Sequence, residues 1–269
     1  MINYCTTTSS LHRRIAKKLS LEVNENADKI VSCKIEWGEK NEKKIQNIIN
    51  SYKNMKDKII FIFLVSDHTN PLSIPENVRL YRTSFLKSKQ QKNEFLLPYI
   101  WEHIENPSPP LEKGHCPIVG FCGLNCKHRG PTLNAFKKNS LITSNFIVRK
   151  QFWAGKPRDR TKVIKDFNDN IANSHFTVGN RGVGNFSMRF YQTLSAGRIP
   201  ILLDTDIPLP FSDEIDWENT IVLGKTPDEL VEKVLDFWNN RDIVKLQIKC
   251  KDIYDKYFSG TKYLDRILS

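Results

Sequence analysis

The sequence predicts an α/β protein of two Rossmann-like lobes whose parallel sheets face a cleft. Three observations carry this. Apolar strand-like runs alternate with amphipathic helical stretches; the alternation breaks at one proline-rich segment, ENPSPPLEKG (105–114); it then restarts as a second complete series. Residues 1–105 are assigned to an acceptor-side lobe, 106–114 to a linker, 115–245 to a ligand-binding lobe, and 246–269 to a helix packing back towards the first lobe.

In the first lobe, NYCTTT reads as a strand and SLHRRIAKKL as a helix capped by Ser9 or Ser10. KIVSCKIEW is a second strand, followed by an amphipathic helix from Lys40 to Tyr52. KIIFIFLVSD is a continuous apolar run of the kind that forms a buried parallel strand, and NVRLYRTS is another strand. After the linker come the strand PIVGFCG, the helix PTLNAFKK opened by Pro131 and the strand SLITSNFIVRK. The helix DRTKVIKDFNDNIANS, the strand HFTVGN and a helix from Phe186 to Ala196 stopped by Gly197 follow. IPILLD, TIVLG, PDELVEKVLDFW and IVKLQIKCKDIYDKYF complete the series.

The chain has 269 residues, 39% hydrophobic and 26% charged, a soluble globular balance. Its longest apolar run, Ile59 to Val65, is far short of the roughly 18 residues that span a membrane. The start, MINYCTTTSSLHRR, lacks the apolar core of a secretion signal, so a cytoplasmic location without a membrane span is expected. The formal charge of +11 is uneven: +5 in 1–110, +11 in 111–200 and −5 in 201–269. No zinc-finger spacing, basic zipper or RNA-binding aromatic signature accompanies the basic third, so nucleic acid is not the expected partner. Cys116, Cys122 and Cys126 with His115 and His128 have the residue types for zinc, but Cys116 to Cys122 would lie along an apolar strand whose side chains alternate. No metal site is expected there.

The chemistry concentrates in SHFTVGNRGVGNFSMRFYQTLSAGRIPILLDTDIPLPF (174–211). A strand runs into a loop with Gly179, Gly182 and Gly184, then into a helix beginning near Asn185. Glycines permit close backbone approach, and the first amides of a helix attract anions. Arg181 lies in the loop, and Asn185, Arg189 and Gln192 fall on one helical face. Guanidinium groups match phosphate bidentately, so a phosphorylated ligand is expected; the competing reading pairs Arg181 and Arg189 with the acidic 201–269 segment. Asp204 and Asp206 after IPILL have the spacing of a metal-binding carboxylate pair, or form a polar turn before Pro208. Trp153 and Trp217 are candidates for stacking on a base or sugar, or for core packing.

The order Ser174-x-Phe176, glycine loop, Arg189, Gly197-x-Ile199-Pro200, Leu209-Pro210-Phe211 and Ile215-Asp216-Trp217 resembles the exostosin-like glycosyltransferases, glycosyltransferase family 47, in particular the short exostosin-like enzymes of large algal viruses. The match runs over 115–223, with Arg129 after PIVGFCG. It implies a GT-B fold and inverting transfer of a sugar, such as xylose, from a UDP-sugar to a glycan or glycoprotein hydroxyl, with no obligatory metal or cofactor. Together with the loop chemistry, donor contacts are expected at Arg129, Arg181, Gly184, Asn185, Ser187, Arg189 and Gln192. Gln192 stands where the family carries Asp or Glu, and Arg198 where it carries Cys. A metal-dependent GT-A-type transferase and an inactive binding relative are the alternatives. The base should come from the first lobe, with Asp67, His12 and His68 as candidates. Replacing Arg189 with alanine is expected to reduce turnover by orders of magnitude and leave the fold intact.

Overall fold

The computed structural model describes residues 2–5, 29–32, 41–57, 59–100, 102–151 and 159–268. The predicted helix at SLHRRIAKKL, with His12, and also Cys33 and Trp153 lie outside the described residues.

The first lobe is a parallel sheet of β1 (Ile2–Cys5), β2 (Lys29–Ser32), β3 (Ile59–Leu64), β4 (Val78–Arg82) and β5 (Glu94–Leu96), paired in that order. Helix α1 (Glu42–Asn50) is capped by Asn41, whose side chain accepts from the Lys44 amide. The period of two along β3 sorts its two faces. Ile60, Ile62 and Leu64 pack with Ile45 and Ile49 of α1. Phe61 and Phe63 point the other way into a core that continues through Tyr81 and Leu97 into the second lobe. Truncating Phe63 to alanine would cost about 3–5 kcal/mol.

The second lobe is a parallel sheet of β6 (Ile118–Leu124), β7 (Thr143–Arg149), β8 (Phe176–Val178), β9 (Ile199–Leu203) and β10 (Val222–Gly224). Its order is β7-β6-β8-β9-β10. The chain therefore reverses direction between β6 and β8, and the crevice at their carboxyl ends is where such sheets take ligands. Its helices are α2 (Gly130–Lys138), α3 (Arg160–Ala172), α4 (Met188–Ser195), α5 (Pro227–Asn240), α6 (Ile243–Tyr257) and α7 (Lys262–Leu268). Thr226 caps α5 by accepting from the Glu229 amide, with Pro227 in the first turn where a missing N–H is harmless. Among the described residues no helix is long and apolar enough to cross a membrane.

The structure departs from expectation at several elements. β5 is an additional strand, the single helix expected over 246–269 is divided into α6 and α7, and α4 begins at Met188. The C-terminal helices divide their contacts: α6 packs on α4, while Tyr263 of α7 donates to the Leu96 carbonyl of the first lobe. The proline-rich linker is bolted down. Arg198, fully buried, donates to the carbonyls of Ala172, Ala196 and Gly197 at the ends of α3 and α4 and to Pro109. Those helix ends carry partial negative charge, which compensates the guanidinium without a carboxylate. Gln247 brackets Leu111, accepting from its amide and donating to its carbonyl, and the Ile104 amide donates to Ser195. Residues 104–112 thus lie on the second lobe.

His175 completes that attachment. Its Nδ1 accepts from the Ile118 amide at 3.1 Å, which leaves the proton on Nε2, 3.0 Å from the Glu112 carbonyl. Burial holds its pKa below the ordinary 6.5. The unfolded chain therefore takes up this proton more readily than the folded one, so stability is lost as the pH falls through 6.5. Thermal melts across that range are expected to show this acid-dependent loss, and His175→Gln, less stable at neutral pH, is expected to lack it. Equal pH slopes in the two proteins would exclude His175 as the source.

Candidate active site

Three arginines meet at the β6–β8 crevice. Arg189, in the first turn of α4, donates through Nη2 to the Cys122 carbonyl at 2.7 Å and through Nη1 to the Val178 carbonyl at 3.3 Å, bridging the two strand ends. Its guanidinium carbon lies 4.5 Å from the Phe121 ring centre. Gly123 makes room: at φ +155° it adopts a conformation that L side chains rarely take, and a Cβ there would stand 2.6 Å from Arg189 Nη2. Burial and then the neighbouring Arg129 push the Arg189 pKa down to about 9. Arg129 donates to the Asn180 and Leu124 carbonyls.

Arg181 reaches the rim. It donates to Asn185 Oδ1 at 3.1 Å and to the Val183 carbonyl at 2.6 Å. The Nε atoms of Arg181 and Arg189 and the hydroxyl of Ser187 are buried without a hydrogen-bond partner. Among the described residues neither Arg129, Arg181 nor Arg189 has a carboxylate within 4.0 Å. The predicted pairing with 201–269 is therefore not what holds them; backbone and side-chain amide oxygens do. The positive field is felt by His128, whose pKa is lowered by burial first and then by Arg181, Lys127 and Arg129.

Asn180, not singled out in the sequence, organises this crevice. Its buried amide donates to the His128 carbonyl and Thr132 Oγ1, and its oxygen accepts from the Leu203 amide. One side chain thereby ties the start of α2 to the end of β9. A single asparagine after a strand carries no sequence signal for that role.

The glycine loop corrects one expectation. The helix opens at Met188 with Ser187 as N-cap, so Asn185 precedes it and does not share a helical face with Arg189 and Gln192. The two amides expected to face a ligand are engaged by the first lobe: the Gly184 amide donates to Asp67 Oδ1 at 3.1 Å and the Asn185 amide to Ser84 Oγ at 2.7 Å. The Asn185 side chain donates to the Phe85 and Asp206 carbonyls, and Phe186 stacks on Tyr99 with ring centres 6.0 Å apart. Asp67 therefore lies in the cleft beside Gly184. His68 faces away from it, with Nε2 3.4 Å from Glu42 and Nδ1 3.5 Å from Arg82 Nη1. Gln192 is half-buried midway along α4.

Asp204 and Asp206 do not converge on a common point. Asp204 accepts from the Asp206 amide in a turn. Asp206, at φ 61°, accepts on its carboxylate from the amide and hydroxyl of Ser88, across the cleft. The cysteines also disperse: Cys116 contacts Thr143, Cys122 contacts Arg149 and Cys126 contacts the Arg181 carbonyl. Among the described residues no group of three or more His, Cys, Asp or Glu is placed to hold a metal. Trp217 is core, donating to the Pro210 carbonyl and packing on Phe190.

Two parallel α/β lobes facing a cleft, with the second lobe's switch point lined by arginines, define a GT-B-like architecture. Residues 121–233 match the exostosin GT47 domain, and over that segment the chain is exostosin-like. It is 29% identical over 105 residues to the Exostosin-1 homolog of Caenorhabditis elegans, covering 38% of this chain and 28% of that protein. It is 31% identical over 101 residues to Exostosin-1c of Danio rerio, covering 35% of this chain and 13% of that one. The chain thus spans well under a third of the length of the curated relatives it matches. Among solved structures it is similar to TarM (TM-score 0.49, 11% identity, covering 89% of this chain and 54% of TarM). It is also similar to the spinosyn rhamnosyltransferase SpnG (TM-score 0.40, 12% identity, covering 96% and 76%). The fold assignment rests on the strand order and parallel register, not on these two likenesses.

Proposed function

We propose that this protein is a glycosyltransferase that moves a sugar from a UDP-sugar to a hydroxyl of a glycan or glycoprotein acceptor, with inversion and without an obligatory metal. One observation carries the reading: within the exostosin-like segment, Arg129, Arg181 and Arg189 converge on the switch point with only neutral oxygen partners, a concentration of charge suited to a diphosphate.

In this mechanism the acceptor oxygen attacks the anomeric carbon as its bond to the β-phosphate oxygen breaks. Negative charge grows on the leaving diphosphate, where Arg181, supported by Arg129 and Arg189, stabilises it more in the transition state than in the ground state. Asp67, on the opposite lobe, takes the hydroxyl proton. Attack from the side opposite the leaving group inverts the anomeric centre. Three guanidinium groups supply the neutralisation that a cation would otherwise give, and Asp204 and Asp206 are occupied by a turn and by Ser88. UDP-xylose is the first donor to test.

A thermal-shift series with UDP, GDP, dTDP and a generic oligonucleotide tests the binding half. Selective stabilisation by UDP, unchanged by EDTA, is the expected result, because only ligands that favour the native state raise its melting temperature. Equal response to the oligonucleotide would point to generic polyanion binding, and a shift that needs Mn²⁺ would restore the metal-dependent alternative.

A further inference from the structure

Below the cleft the first lobe holds a buried ion pair that the mechanism above does not use. Arg82, the last residue of β4, and Glu94, the first of β5, are 1% and 0% exposed, with Nε 2.6 Å from Oε1. The contact is one of charge rather than an aligned hydrogen bond, since neither atom meets hydrogen-bond geometry. Glu94 is fixed independently by the Gln91 amide at 3.0 Å. Such a pair is a poor device for stability, because desolvation offsets most of its attraction.

Its geometry suits another purpose. From the anchor on Glu94, Arg82 Nη2 donates to the Asn70 carbonyl at 3.1 Å and Nη1 lies 3.5 Å from His68 Nδ1. His68 and Asn70 Nδ2 both reach Glu42 at the start of α1, at 3.4 and 3.2 Å. The guanidinium also sits 5.6 Å from the Phe85 ring centre, and the Phe85 carbonyl holds Asn185. One side chain therefore touches both arms of the cleft lip, 68–70 and 85, with Asp67 beside the first. Thr83 fixes the near end of the loop, bonding both the amide and the carbonyl of Ser66. Arg82 and Glu42 fix the far end, and Asp67 lies between.

We propose that Arg82, anchored by Glu94 and acting through His68 and Asn70, is a positioning residue that sets the Asp67 carboxylate against the Gly184 amide of the second lobe. This rests on the reading of Asp67 as a working group of the cleft, but the juxtaposition itself is observable without any substrate.

Selective ¹⁵N-glycine labelling leaves 12 glycine amides to resolve, and Gly184→Ala identifies the Gly184 peak by its loss. Asp67→Asn is expected to move that peak upfield as the carboxylate acceptor weakens. The double variant Arg82→Met, Glu94→Leu replaces the pair with apolar groups of similar size and is expected to fold. It should move the Gly184 peak in the same direction by at least half as much, with a UDP-induced melting shift no smaller than that of the wild type. Arg82→Lys, which keeps charge but cannot span Glu94, His68 and Asn70 together, should give the same direction and decides the matter if the double variant does not fold. A Gly184 peak at its wild-type position in a folded Arg82 variant overturns the proposal, as does one that Asp67→Asn leaves unmoved. Turnover of Asp67→Asn judges the base assignment separately: full turnover would remove the catalytic reading and leave the displaced peak, and the positioning role, standing.

Discussion

Replacing Arg181 with alanine is expected to abolish stabilisation by UDP and to lower turnover about 10²–10³-fold, the scale seen when one preorganised donor to a developing anion is removed. Arg181 is the informative choice because of how the three arginines are held. Arg189 donates to the Cys122 and Val178 carbonyls, the ends of the two central strands. Its removal would leave buried acceptors unpaired, at about 1–3 kcal/mol each. The expectation that Arg189→Ala would leave the fold intact is therefore replaced by an expected loss of stability, which would confuse any loss of activity. Among the described residues the Arg181 side chain bonds only within its own loop, to Asn185 and Val183. Asn185 remains held by Ser84, Phe85 and Asp206 without it. The variant should melt close to the wild type, so calorimetric titration with UDP reads binding alone. Wild-type UDP affinity in Arg181→Ala would remove it from the diphosphate site.

The parts of the molecule legible in the sequence are those decided locally. IIFIFL is apolar throughout, and from Ile60 onwards both its faces are covered, one by α1 and the other by the core shared with the second lobe. PDELVEKVLDFW announces its helix through Thr226 and Pro227. The switch point depends on a strand order that only the structure supplies, and the helix after the glycine loop opens at Met188 rather than near Asn185. What stayed hidden depends on partners distant in the chain. β5 reads EFL and opens with a glutamate, which looks like a loop until Arg82 is seen beside it. The linker looks free because its anchors, Arg198 and Gln247, stand 89 and 136 positions from the residues they hold. The arginines of 111–200 raise the formal charge, but the sequence does not say whether a guanidinium will meet a carboxylate, a carbonyl or a ligand. The outcome was carbonyls for Arg129, Arg189 and Arg198, with Arg181 turned to its own loop and nearest the cleft.

Asp67→Asn is expected to have two opposite effects: transfer falls about 10²–10⁴-fold, the usual contribution of a general base, while UDP binds more tightly. The first follows from loss of the only acceptor proposed for the acceptor hydroxyl's proton. The second follows from the electrostatics of the cleft. Asp67 Oδ1 accepts from the Gly184 amide, and its charge acts on Arg181, raising that arginine's pKa against the lowering by burial. A carboxylate there is a local anion on the donors that a phosphate would use. A diphosphate must displace it or bear its repulsion, and the displaced carboxylate is then free to meet the acceptor on the far side of the sugar. Asparagine keeps the size of the side chain but removes the negative charge, so the competition weakens. Binding and catalysis thus move in different directions in one variant, which a general loosening of the cleft would not produce. Titration calorimetry with UDP and a UDP-release assay on the same preparation separate the two. Weaker UDP binding together with lost turnover would mean that Asp67 supports the loop rather than competing for its amide, and normal turnover would pass the base to another group of the first lobe.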